Sequence, residues 1–222
     1  MRSRPTAGGV VLGLLLANSA VAGTIVGSVT LTPADLSFRG GARSNAYVGQ
    51  LSGAAGNSGS VVPSDTTYGV AYLSDVPITE APPASVLLDQ KGQRFIPRIL
   101  AVVVGQAVEF RNSDNVFHNV FSYSPPKRFD LGRYPRGKSK RLIFQKPGLV
   151  QVFCDIHSDM RSDIVVVPSR RFAYVGADGR FRIEDAPEGK HTLVLWLPRR
   201  GERTASIEVA ANGTTAAVLG AE

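Results

Sequence analysis

Cysteine occurs once in the 222 residues, at Cys154; histidine occurs three times, and methionine twice, one of them the initiator. A single thiol excludes an internal disulfide framework, and it falls short of the thiolates an iron–sulfur cluster needs. Three imidazoles are too few for a multi-copper oxidase cluster or for a reductase carrying an added type 2 copper, so no enzyme is expected. Long apolar runs are missing too: none approaches the roughly 20 residues that span a bilayer. No long stretch repeats apolar residues at the 3.6-residue period of an amphipathic helix. What is present excludes disorder: 43% of residues are hydrophobic and only 19% charged, enough to bury a core.

The chain opens with Arg2 and Arg4, then an apolar stretch from Val10 to Leu16, then Ala20-Val21-Ala22. A basic start, a short apolar middle and an Ala-x-Ala end describe a secretory signal peptide over residues 1–22. The expectation is export to the periplasm, with no membrane span after cleavage. Export makes nucleic acid an unsuitable partner, although 25 Lys and Arg against 18 Asp and Glu give a net charge of +7.

Short runs rich in Val, Ile and Phe recur between Gly, Pro, Asn and Asp turns, which predicts an all-β chain. Candidate strands cover 24–31, 68–73, 99–104, 107–111, 116–123, 141–145, 149–154 and 164–167. Others follow at 172–175, 180–184, 192–197, 205–209 and 215–219. Gly105-Gln106, Asp178-Gly179 and Asn212-Gly213 are predicted hairpin turns. Residues 40–63, rich in Gly, Ser and Ala, predict a surface loop. The positive excess belongs to residues 89–168, with thirteen basic against seven acidic side chains. Residues 168–171 are the expected boundary between two β domains.

The only cysteine lies in Cys154-Asp155-Ile156-His157-Ser158-Asp159-Met160. Thiol, imidazole and thioether therefore follow one another at three-residue spacing, on a loop between two predicted strands. Strand alternation puts Val150, Val152 and Cys154 on one face. His118 stands upstream in another predicted strand, on the face of Val116 and Val120. Two His, one Cys and one Met form the donor set of a blue-copper electron-transfer site, a trigonal His₂Cys plane with a weak axial Met. Such a set suits neither Cu(I) nor Cu(II) fully, so little geometry changes when an electron moves. Zinc prefers a closed tetrahedron of harder or anionic donors, and a thioether would serve it poorly. Each residue alone would be ordinary core; together they hold the sole Cys, two of three His and the one internal Met.

Cys-x-x-His-x-x-Met after Pro147-Gly148, with His118-Asn119-Val120 upstream, resembles the cupredoxin family, its amicyanin-like members above all. Asp89-Gln90-Lys91, Phe95-Ile96-Pro97, residues 108–112, residues 118–122 and Phe129-Asp130-Leu131-Gly132 resemble periplasmic plastocyanin-like proteins of the methylamine-utilisation type. This resemblance covers residues 86–168 and implies a Greek-key β-sandwich there. It further implies one type 1 copper ion, with His118, Cys154 and His157 in the plane and Met160 axial. It also implies that Asn119 hydrogen-bonds near the Cys154 loop and ties the two ligand segments together.

Residues 169–222, through Asp178-Gly179-Arg180-Phe181-Arg182-Ile183 and Ala186-Pro187-Glu188-Gly189-Lys190-His191, resemble the carboxypeptidase-regulatory-like (transthyretin-like) β-sandwich. Residues 23–85 are expected to supply its opening strands, or else a separate N-terminal extension. His191 is expected to be an exposed residue and Trp196 a core residue. The leading functional expectation is a one-electron carrier serving a redox protein (a cytochrome, oxidase or dehydrogenase), acidic enough to be steered by the basic stretch 127–146. The alternatives are a periplasmic protein that holds and delivers copper without redox turnover, and a structural or ligand-binding sandwich.

Overall fold

A computed structural model describes residues 22–37 and 66–220. The leader, apart from Ala22, and the loop expected over 40–63 lie outside the described residues. The described chain is all β except for one four-residue helix. Its elements are β1 (Ala22–Val29), α1 (Pro33–Leu36), β2 (Gly69–Leu73), β3 (Val86–Gln90), β4 (Phe95–Ile96), β5 (Ile99–Val103) and β6 (Ala107–Asn112). There follow β7 (His118–Ser122), β8 (Phe129–Tyr134), β9 (Ser139–Ile143), β10 (Gly148–Phe153) and β11 (Arg161–Val167). The last are β12 (Phe172–Val175), β13 (Arg180–Pro187), β14 (Gly189–Leu197), β15 (Gly201–Val209) and β16 (Thr214–Leu219).

These strands form four sheets that pair into two sandwiches. Sheets β13-β1-β16 and β12-β2-β14-β15 close over a core that includes Ile25, Leu73, Phe181, Leu195 and Val209. Strands from both ends of the chain share this first sandwich. Sheets β4-β3-β6-β9 and β5-β11-β10-β7-β8 close over a second core, around Leu88, Phe110, Val120, Phe144, Val152 and Ile164.

A third apolar layer joins the two. Val70, Tyr72, Val194 and Trp196 from the first sandwich pack with Ile99, Ala101, Val103, Val165 and Val167 from the second. Successive side chains of a strand point to opposite faces, and here both faces are covered. On β5, Leu100 and Val102 enter the second core while Ile99, Ala101 and Val103 enter the joining layer. On β14, Leu193, Leu195 and Leu197 face the first core, and Val194 and Trp196 the joining layer. Burial on two sides explains why these strands read as continuous apolar runs rather than alternating ones. Trp196 is core, as expected.

The sequence-predicted strands fall within these elements, with shifts at their ends. Val116 and Phe117 were expected inside a strand; β7 begins at His118 and both residues are exposed. All three predicted hairpins prove to be crossings from one sheet to the facing one: β5 to β6, β12 to β13, and β15 to β16. The turn chemistry was read correctly, with positive φ at Gly105, Gly179 and Asn212. A left-handed residue reverses the chain, but the strands' apolar faces decide whether the return strand pairs alongside or opposite. β3, β4 and β8 escaped the strand reading. β3 ends in Asp89 and Gln90, both buried, which disguises it. Asp89 is held there by Ser113 and Arg111, and Gln90 by Tyr134. β4 has only two residues, and β8 is a half-exposed edge strand.

Candidate metal centre

The site sits where two adjacent strands of one sheet meet a loop. β10 and β11 are antiparallel, with Phe153 opposite Arg161, so residues 154–160 form the connection that closes the hairpin. The inward alternation of Val150 and Val152 continues to Cys154, which is 5% exposed and belongs to the second core. β7 pairs with β10 through Phe121 and Phe153. That antiparallel register carries the start of β7, which is His118, alongside the loop.

Three donor atoms converge there. His118 Nδ1 lies 3.1 Å from His157 Nδ1 and 3.9 Å from Cys154 Sγ. All three lie within 4.8 Å of one another, the one such cluster of His, Cys, Asp and Glu among the described residues. The two rings meet edge to face at 4.8 Å between centroids. His118 is fully buried and His157 half-buried, so one imidazole is sealed and the other reaches the surface. Met160 closes the loop with its N–H donating to His157 O at 3.0 Å, and its side chain is buried in the same core as Cys154.

The neighbours hold these parts in place. Asn119 Oδ1 accepts the N–H of Asp155 at 2.7 Å, joining β7 to the loop directly after Cys154. Asn119 Nδ2 donates to Asp130 Oδ1 at 3.2 Å, and that same oxygen accepts the N–H of Gly132. His118 Nε2 lies 2.9 Å from Asp114 Oδ2. Tyr134, opposite His118 on β8, accepts from Gln90 Nε2 at 2.6 Å and donates to Phe110 O at 3.2 Å. Burial raises the phenol of Tyr134 above its ordinary range, against the opposing Gln90 bond and with the nearby Cys154 sulfur adding to the rise. It remains a neutral donor. Partial burial opposes ionisation of Asp114. Hydrogen bonds from the Gln93 N–H, the His118 ring and the Gly92 N–H outweigh it and hold this carboxyl below the usual carboxylate range.

Sequence reading assigns Asp114 and Tyr134 no role, and Asp130 only a place in the Phe129–Gly132 segment of the resemblance, not a part in the site. Aspartate and tyrosine are common, and nothing in their spacing marks them before the turns and strands are placed. His191 is no part of the cluster. It was expected to be exposed, but is half-buried, with Nε2 3.0 Å from Pro187 O and Nδ1 3.3 Å from Asp75 Oδ1.

The donor chemistry fits a soft-to-borderline metal ion. Nitrogens 3.1 Å apart can share either a proton or one ion, since both can lie about 2 Å from a common point. A buried thiol beside them is a ligand once deprotonated.

No protein-family model and no curated protein matches the sequence. Solved structures do, over part of the chain. A copper-containing nitrite reductase from Thermus scotoductus is 27% identical over 44% of this chain, with a TM-score of 0.38. This chain spans only 25% of that reductase. An amicyanin mutant, solved with Cu(I), is 21% identical over 43% of this chain and 97% of its own, with a TM-score of 0.35. A purple cupredoxin from Nitrosopumilus maritimus is 21% identical over 38% of this chain and 99% of its own, with a TM-score of 0.33.

Proposed function

We propose that this protein holds one type 1 copper ion through His118 Nδ1, Cys154 Sγ and His157 Nδ1, with Met160 as a weak axial donor, and carries single electrons between redox partners. The convergence of these three donor atoms within 4.8 Å carries the reading. When bound, the ion would supply a one-electron couple. The chain's own part is to fix the donors in advance. β7 seals His118 away from water, β10 aims the sulfur inward, and Asn119 clamps the loop that presents His157. Rigid donors resist rearrangement, which favours fast transfer.

His157 offers the route to a partner. Exposed Val116, Phe117 and Ile156 adjoin the ligands in sequence, and Arg133 and Arg136 stand exposed nearby, bonded to Asp155 and Asn115. An apolar rim with cationic flanks suits an acidic redox protein. The same reading takes residues 86–168 as a unit inserted into a sandwich built from both chain ends. It takes the protein as periplasmic, exported by residues 1–22.

Titration of the purified chain with Cu(II), followed by visible spectroscopy, tests this. An intense thiolate-to-copper band is expected, absent in Cys154→Ser, with reversible voltammetry of the loaded protein. A colourless titration overturns copper ligation by Cys154. A coloured but electrochemically silent protein overturns electron carriage in favour of copper holding and delivery.

A further inference from the structure

The two edges of the His118 ring meet different chemistry. Nε2 faces Asp114 Oδ2 at 2.9 Å, and a carboxylate oxygen accepts but does not donate. The proton of the neutral ring therefore belongs on Nε2. Nδ1 is left with the lone pair, facing His157 Nδ1 and Cys154 Sγ. The opposite tautomer would set a lone pair against the carboxylate and place a proton among the three donors.

Asp114 is itself fixed from two directions. Its Oδ2 also accepts the N–H of Gln93 at 2.8 Å, and its Oδ1 accepts the N–H of Gly92 at 2.6 Å. Gly92 and Gln93 have φ of 63° and 55°. Two successive residues in the left-handed region turn their N–H groups toward one side, which makes a small anion-binding nest. From the other direction, the Asp114 N–H donates to Oδ1 of Asn112, a fully buried side chain anchored to Val116 O and Tyr134 O. Thus the turn between β3 and β4, some twenty residues upstream, reaches His118 through one carboxylate.

We propose that Asp114, clasped by the Gly92-Gln93 turn, is a positioning residue. It holds His118 in the Nε2–H tautomer and aims Nδ1 at the point shared with Cys154 and His157. Ligating histidines commonly hand their second ring N–H to a carboxylate, and loss of that partner weakens metal binding by about 10–100-fold. The effect at the ion rests on the copper reading; the state of the ring does not.

The test is long-range ¹H–¹⁵N correlation on the metal-free, full-length, ¹⁵N-labelled chain, where three histidines give only three ring patterns. Wild type is expected to show His118 protonated at Nε2 and bare at Nδ1. Asp114→Ala should mix the tautomers and weaken Cu(II) binding, measured by chelator competition, by about 10–100-fold. Asp114→Asn can still accept at the Oδ2 position, so it should keep the Nε2–H pattern and lose less than about tenfold. An Nδ1–H tautomer in the wild type overturns the proposal without any variant, and so does an Asp114→Ala protein that keeps the wild-type ring pattern and affinity. If the wild type takes up no Cu(II), the copper reading fails, and the ring patterns alone decide the role of Asp114.

Discussion

His118 and Asn119 are neighbours on β7 with opposite duties. The first turns its ring toward Cys154 and His157, and the second reaches sideways to the backbone of the loop that carries them. Both are nearly free of solvent contact, so each polar atom must find a partner inside the protein. Replacing Asn119 by Ala removes the acceptor of the Asp155 N–H and leaves Asp130 Oδ1 with the Gly132 N–H alone. Asp155 itself is exposed, so water can reach the freed N–H and the loss is that of an ordinary hydrogen bond, about 0.5–1.5 kcal/mol. Urea denaturation should register that loss, and hydrogen exchange at the Asp155 amide should accelerate. An unchanged exchange rate would mean that the loop is held elsewhere. At this scale, legibility follows scarcity. Cys154, His157 and Met160 stand out because the chain has so few residues of their kinds. Asp114 and Asp130 do not, because what distinguishes them is a turn or strand brought from elsewhere in the chain.

Strands were legible wherever apolar residues dominated, and their pairing was not. Nothing in Asp178-Gly179 says that β12 and β13 belong to facing sheets; the position of β1, about 150 residues earlier, decides it. α1 illustrates the same limit. Four residues cannot display a helical period, and its order comes from polar contacts. Thr32 caps it, with Asp35 accepting from the Thr32 N–H at 2.7 Å and from Thr32 Oγ1 at 2.8 Å. Asp35 also pairs with Arg200 from the turn between β14 and β15. Burial works against ionisation of Asp35, but the Thr32 bonds and the Arg200 charge prevail and lower its pKa. A carboxyl with a folded-state pKa below its unfolded value near 3.9 stabilises the protein above that value, and the contribution is lost as pH falls through the folded pKa. The stability difference between wild type and Asp35→Asn should therefore be full at about pH 6 and shrink below about pH 4. Paired denaturant titrations across that range check it. A difference that stays constant with pH would place the role of Asp35 in packing rather than in charge.

At the scale of the molecule, the decisive feature is the apolar layer between the two sandwiches. It is built from alternate residues of strands whose other residues form the two cores, so neither core can loosen without disturbing it. The chain passes from the first sandwich to the second and back, which adds connection at both ends of the run β3 to β11. Such an arrangement should unfold as one unit, and the sequence supplies its own probes. The sole tryptophan, Trp196, is 3% exposed within the joining layer, and the sole cysteine, Cys154, is buried in the second core. In metal-free protein, Trp196 fluorescence and pulse labelling of Cys154 by a thiol reagent should give coincident midpoints across a denaturant series. Val194→Asp buries an unpaired carboxylate in the joining layer, where Val194 is 4% exposed, so both midpoints should fall together. A tryptophan signal that changes while Cys154 stays protected would show the sandwiches to be energetically separate. The joining layer would then be a contact surface rather than a shared core.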